Sequence, residues 1–208
     1  DKLTADEQRV LETEFGDLLG AGDYKARFDM AVLKGHAGDA QQAARKLGGG
    51  YEALARAQLA VDKKQGNAGA LLDAVPGGLR DDPIYVFSRA QYARRLERWQ
   101  EAADWLVKAP RDPKLMGLPD QWWEEKRIVS RKLLDMGDAK TAYRVVVGHT
   151  GSTPANQAEA DFHAGWYALR FLKDASSAMR HFAAVAEDSS KPVTRARAYY
   201  WMGRAAEA

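Results

Sequence analysis

Residues 165–182 read GWYALRFLKDASSAMRHF. The apolar positions keep a helical beat, break at LKDA, and resume. The same phrase occurs twice upstream, in VSRKLLDMGDAKTAYRVV (129–146) and QYARRLERWQEAADWL (91–106). In the last copy Ala158, Phe162, Gly165, Leu169 and Leu172 follow steps of four and three, which places all five on one helical face. Ala175, Ala178, Phe182 and Val185 repeat the pattern in the next helix. Each phrase is therefore a helical hairpin.

Working outward, Pro83, Pro119, Pro154 and Pro192 each precede a strong helical pattern and lie about 35 to 38 residues apart. Proline suits a first helical turn, where its missing N–H is not needed. Aligning the second helices on Ala102, Ala139 and Ala175 as their starts sets Leu96, Leu133 and Leu169 in one column. Trp99, Met136 and Leu172 fall in another. A lone hairpin cannot cover its apolar flank, so hairpins must stack. The expected fold is all-α: an α-superhelix, or solenoid, of stacked antiparallel hairpins of the tetratricopeptide-like kind. No segment alternates with period two, so no strand is expected. About twelve helices are expected in one array spanning 1–208, looser over 1–80 and regular over 81–208. In the looser part, LTADEQRVLETEFGDLL carries capping-box spacing at Thr4 and Glu7. Gly-Asp pairs ahead of three helices would supply a stop and an N-cap. Gly48, Gly49 and Gly50 read as a hairpin connection.

Composition narrows the function. Hydrophobic residues are 46% and charged residues 29%, which fits a packed water-soluble chain. The net charge is only +2, with acids and bases interleaved, so nucleic acid is not an expected partner. There is no cysteine, hence no disulfide or thiolate metal site. No apolar run reaches the roughly 18 residues of a membrane span. The chain begins without Met and ends at GRAAEA inside a helical pattern, so both ends are expected to be cuts in a longer protein.

No nucleophile elbow, phosphate loop or zinc-protease motif is present. His36, His149, His163 and His181 read as surface, paired or capping histidines; Glu159 and His163 share a face but make a poor two-ligand metal site. Glu124, Glu125, Glu159 and Asp161 read as solvated carboxylates. Catalytic, cofactor and metal residues are therefore expected to be none. Tyr85, Tyr92 and Trp99 are spaced by seven, and Trp122-Trp123 and Tyr199-Tyr200-Trp201 form clusters. Such rings pack cores, or stack on sugars and partners. In adjacent pairs one ring is expected to face the core and the other to be free. Arg89, Arg94, Arg95 and Arg98, with Arg127 and Arg131, are either carboxylate-binding groups or exposed partners of Glu97, Glu101 and Glu125. The candidate contact residues are Tyr85, Arg89, Tyr92, Arg94, Trp122, Trp123 and Tyr200.

The wording of ADFHAGWYALRFLKDASSAMRHFAAVAEDSSKPVTRARAYYWMGRAAEA, with WWEEKRIVSRKLLDMGDAKTAYRVV, YEALARAQLAV and LRDDPIYVFSRAQYARRL, resembles the helical region of soluble lytic murein transglycosylases of the alphaproteobacterial type. The resemblance is most specific over the last roughly 90 residues. It implies a periplasmic protein acting on peptidoglycan. In that family a C-terminal lysozyme-like domain carries one catalytic glutamate, usually followed by serine, and cleaves the glycan without water to leave a 1,6-anhydromuramoyl end. This chain has no Glu-Ser dipeptide, so no catalytic residue carries over. The implied partners are glycan strands and the missing catalytic domain, and the chain alone is expected to be inactive. The competing expectation is a stand-alone tetratricopeptide-like scaffold that binds another protein.

Overall fold

The computed structural model describes residues 18–208, with Glu7, Val10, Thr13 and Glu14 before them. Thr4, and with it the capping box expected there, lies outside the described residues. Among the described residues there are eleven α-helices and no strand. The chain divides into two compact units, Asp1–Leu79 and Arg80–Ala208.

In the first unit, α1 (Ala21–Leu33), α2 (Ala37–Leu47), α3 (Tyr51–Asp62) and α4 (Ala68–Asp73) pack mainly on their sequence neighbours. Phe28, Val32, Leu54, Val61 and Leu72 are buried between them. Gly48, Gly49 and Gly50 all have positive φ and form the tight connection from α2 to α3. A Cβ on Gly50 would lie 2.6 Å from the Pro76 ring, so that position excludes a side chain.

The second unit contains α5 (Pro83–Arg95), α6 (Trp99–Leu106), α7 (Pro119–Asp135), α8 (Ala139–Val146), α9 (Pro154–Tyr167), α10 (Ala175–Asp188) and α11 (Pro192–Ala206). A π-turn, Ala168–Leu172, continues α9. All four prolines occupy the start of their helices. Side-chain caps fix several starts. Asp82 accepts from the Ile84 N–H at 2.9 Å, Asp138 from Thr141 at 3.1 Å, Thr153 from Asn156 at 3.2 Å and Asp174 from Ser177 at 2.9 Å. Hydrogen bonds from Ser177 and Ser176 hold the Asp174 carboxyl down at about 2. Of the three expected Gly-Asp stops, only Gly137-Asp138 lies between helices. Asp23 and Asp39 fall within first turns, where acids also suit the dipole.

One turn recurs in four hairpins. Gly35, Glu97, Gly137 and Lys173 are left-handed, with φ of 72°, 57°, 84° and 57°. The next residue, His36, Arg98, Asp138 or Asp174, caps the following helix. Its N–H bonds back to the carbonyl of Ala31, Ala93, Leu133 or Ala168 at 2.8–3.0 Å. This backward bond satisfies a carbonyl that the ending helix leaves open. Counting from these turns corrects the alignment expected from sequence. Helices α8 and α10 start at Ala139 and Ala175, but α6 starts at Trp99, three residues before Ala102. Leu96 consequently is 45% exposed, whereas Leu133 and Leu169 are buried. In the true register Ala40, Ala102, Ala142 and Ala178 are equivalent, and each is fully buried. One turn further, Ala44, Leu106, Val146 and Phe182 are fully buried too. Alanine lets the two helices of a hairpin approach, and in the second unit a larger residue, Leu106, Val146 or Phe182, fills the space beyond. Burying each such large side chain contributes about 1.5–3 kcal/mol.

Helices α9 and α10 come closest at Gly165, where an added Cβ would lie 2.8 Å from the Phe182 ring. Phe182 in turn stacks on Trp201 of α11, with centroids 6.0 Å apart, so each hairpin seals the next. Bonds between alternate helices span about one repeat. They include Trp123 to Glu159, Ser130 to Tyr167 and Tyr143 to His181, separated by 36, 37 and 38 residues.

Candidate functional site: an aromatic groove on alternate helices

A groove of about 740 Å³ lies on the second unit, lined by Arg131, Leu134 and Asp135 of α7, Glu159, Phe162, His163, Trp166 and Tyr167 of α9, Phe171 of the π-turn and Arg197 of α11. Helices α7 and α9 open the hairpins α7–α8 and α9–α10, and α11 follows them. Helices α8 and α10 contribute no lining residue. A second cavity of about 300 Å³ adjoins it, sharing Glu159 and Arg197. The rest of its wall is more polar, with Thr153, Ser189, Ser190, Lys191 and Thr194 among its residues.

The rings are held at defined angles. Trp166 meets Phe171 edge-on at 5.2 Å, and Tyr167 meets Phe171 edge-on at 6.4 Å. Tyr167 is fully buried; its hydroxyl shares a 3.1 Å hydrogen bond with Ser130, and burial raises its pKa. Phe171 remains 44% exposed and presents its ring to the groove. Phe162 carries the Arg197 guanidinium 4.0 Å from its ring centroid.

The polar wall is tied across α7 and α9. Glu159 accepts from the Trp123 indole N–H at 2.9 Å and from Arg127 at 3.0 Å. Burial alone would raise its pKa, but these two donors outweigh burial and lower it. His163 donates from Nδ1 to the Glu159 carbonyl at 2.8 Å and accepts at Nε2 from Arg131 at 3.2 Å, the tautomer this network requires. Burial is the largest influence on its pKa and lowers it.

Next to the groove is a buried basic cluster. Lys126 is 4% exposed, and burial, reinforced by the Arg111 charge, pushes it down to about 8. His149 is 3% exposed and stacks on Trp123 at 5.2 Å, with neither ring nitrogen hydrogen-bonded. Burial first, and the Lys126 charge second, push it down to about 4.

The residues selected from sequence are dispersed. Tyr85 is buried edge-on against Trp105 at 5.9 Å, and its hydroxyl accepts from Arg89 at 2.8 Å. Tyr92 is half-buried, and Arg94 forms an ion pair with Glu125. Trp122 is fully buried, donating its indole N–H to the Met116 carbonyl at 3.0 Å. Tyr200 is exposed on α11. None of the seven lines either cavity; Trp123 reaches the groove only through its bond to Glu159. The expectation that one ring of each adjacent pair stays free does not hold at Trp122-Trp123. Both are buried, because α7 is covered on two sides, by the hairpin before it and by α9 after it. Glu125 is likewise buried rather than solvated, since Arg94 one repeat upstream neutralises it. Arg98 pairs with Glu101, so part of the arginine group is paired as the second reading required.

Two carboxylates, Asp135 and Glu159, line the groove. A glycosidase acid needs a raised pKa, and Glu159 is shifted the other way. Among the described residues no cluster of three or more His, Asp or Glu side chains is placed to hold a metal ion, and no helix is long and apolar enough to cross a membrane. No family model, curated protein or solved structure matches the chain.

Proposed function

We propose that this chain is the helical, non-catalytic region of a periplasmic peptidoglycan lytic transglycosylase, and that its groove holds a glycan strand for a catalytic domain elsewhere in the protein. The observation that carries the reading is the lining: α7, α9 with its π-turn, and α11 supply every groove side chain, and α8 and α10 supply none. That is how an inner wall forms when hairpins stack into a superhelix. The exposed Phe171 and the half-buried Trp166 on such a wall offer faces for sugar rings, and guanidinium groups offer charge for peptide carboxylates. A purely protein-binding scaffold of the tetratricopeptide-like kind would share the fold but has no need of this combination.

The test uses purified murein sacculi. The chain should co-sediment with them and release no anhydromuropeptides. Phe171→Ala, at an exposed position, should cut retention severalfold without altering the helical circular dichroism. Equal retention of both proteins, or release of anhydromuropeptides by either, removes the proposal.

A further inference from the structure

Outside the groove, the loop between α6 and α7 meets the loop between α8 and α9. The Thr150 hydroxyl donates to the Arg111 carbonyl at 2.7 Å, and the Ser152 hydroxyl donates to Asp120 at the start of α7, so the two loops are tied together. Arg111 is exposed, and its guanidinium lies against Gly148. Lys126 of α7 is 4% exposed, and the charge that acts on it is the like charge of Arg111. Among the described residues no hydrogen bond or ion pair engages the Lys126 ammonium or the Arg111 guanidinium. A buried ammonium is costly, and folded proteins ordinarily set a carboxylate against it. Here a second cation takes that place. The Lys126 charge also acts on His149, whose ring is fixed on Trp123 at 5.2 Å. Neutral imidazole carries one N–H donor and one acceptor nitrogen, and neither is partnered among the described residues. The two carboxylates that act on this ring are engaged, Asp120 by Ser152, and Asp161 by Gln157 at 2.7 Å and His181 at 3.2 Å.

From this cluster we infer that Arg111, Lys126 and His149 form an anion site for a phosphate group, either free or carried as a monoester. Two cations with no facing carboxylate match a doubly charged oxyanion better than a singly charged one. The guanidinium offers two parallel N–H donors, the ammonium a buried point charge and the imidazole a neutral donor. None of the three lines the groove or the smaller cavity, so the site is independent of the glycan reading.

The experiment measures thermal midpoints of the whole chain at pH 7.5 in inorganic phosphate, in acetate and in chloride at matched ionic strength. Tryptophan fluorescence, to which Trp123 contributes from beside His149, gives the dissociation constant. At about ten times that concentration, phosphate should raise the midpoint by about 4 °C over chloride, and acetate should give less than half of that. Arg111→Gln should weaken phosphate binding about tenfold, the scale of one charge-assisted bidentate contact. Lys126→Met should abolish the gain from phosphate, whatever its starting stability. Lys114→Gln removes an exposed cation of the same loop and should respond as the wild type does. Arg111 is exposed, so Arg111→Gln should fold as the parent does and keeps the test decisive if Lys126→Met does not. Glycerol 3-phosphate, run alongside, distinguishes a carried phosphate from a free one by which of the two binds more tightly. Equal midpoints in phosphate and chloride, an equal gain from acetate, or an unchanged phosphate response in Arg111→Gln overturns the inference and leaves the groove untouched.

Discussion

Lowering the pH from 7 to 5 should destabilise the second unit by about 2 kcal/mol through one side chain, His149. The ring is buried against Trp123, and among the described residues neither nitrogen has a hydrogen-bond partner. Its folded pKa is about 4, against an ordinary 6.5 in the unfolded chain. A base with a depressed folded pKa binds its proton first in the unfolded state. Stability is therefore lost as pH falls from 6.5 toward 4, and nothing further is lost to this group below that. At pH 7 the penalty is a few tenths of a kcal/mol; at pH 5 it reaches about 2 kcal/mol, and at its limit about 3 kcal/mol. The charges that face the ring are Lys126, Asp120 and Asp161. The Ser152 hydroxyl and other hydrogen bonds lower the Asp120 pKa, so Asp120 remains ionised over this range. The assay is urea unfolding followed by tryptophan fluorescence. All six tryptophans lie between residues 99 and 201, so the signal reports this unit alone. His149→Leu fills similar volume and cannot titrate. It should flatten the difference between pH 7 and pH 5. An equal loss in wild type and His149→Leu would refute the argument.

Two further predictions concern other features of the second unit. Lys126→Met should stabilise it at pH 7 by up to about 3 kcal/mol, because a lysine held at about 8 keeps a charge that burial disfavours. The wild type should gain stability between pH 8 and 10.5 as that charge is released, and the variant should not; urea midpoints at pH 7 and 10 decide this. At the equivalent hairpin turns, Gly137→Ala should cost about 1 kcal/mol and Lys173→Gly should gain about 0.5–1 kcal/mol, since both positions are left-handed. Nothing lies within 4 Å of a Cβ on Gly137, so backbone strain alone sets that value; thermal melts that move both variants in the same direction would contradict it.

The hairpins of the second unit are readable because proline marks the start of α5, α7, α9 and α11 and apolar residues keep the helical period. The turn of the first regular hairpin was not. It is made by Glu97 in a conformation that glycine usually takes, and Arg98 caps the next helix without a side-chain bond, so no letter marks the break. The error of three residues at Ala102 follows directly. Burial of Glu125 and Trp123 was hidden for a different reason. Their partners, Arg94 and Glu159, lie 31 and 36 residues away, one repeat up or down the chain. The site was half legible. Aromatic and arginine residues on α5 and α7 drew notice, but the groove is built from α7, α9 and α11. Phe162, Trp166 and Phe171 fit a core pattern as well as a surface one, and Arg197 has no local signature. The one available signal was surplus: four rings between residues 162 and 171 exceed what one face of a hairpin can bury.

The π-turn at Ala168–Leu172 also explains why the fourth hairpin bond runs six residues back, from Asp174 to Ala168, where the other three run five. One additional amino acid is accommodated as a local widening, and everything downstream keeps its place. Phe171 sits in that widening. Excising the exposed Arg170 should let the segment rewind to an ordinary coil, turn Phe171 by about 100° and empty its side of the binding wall, while the rest of the stack stays folded. A single added residue thus separates what holds the protein together from what it exposes at the groove.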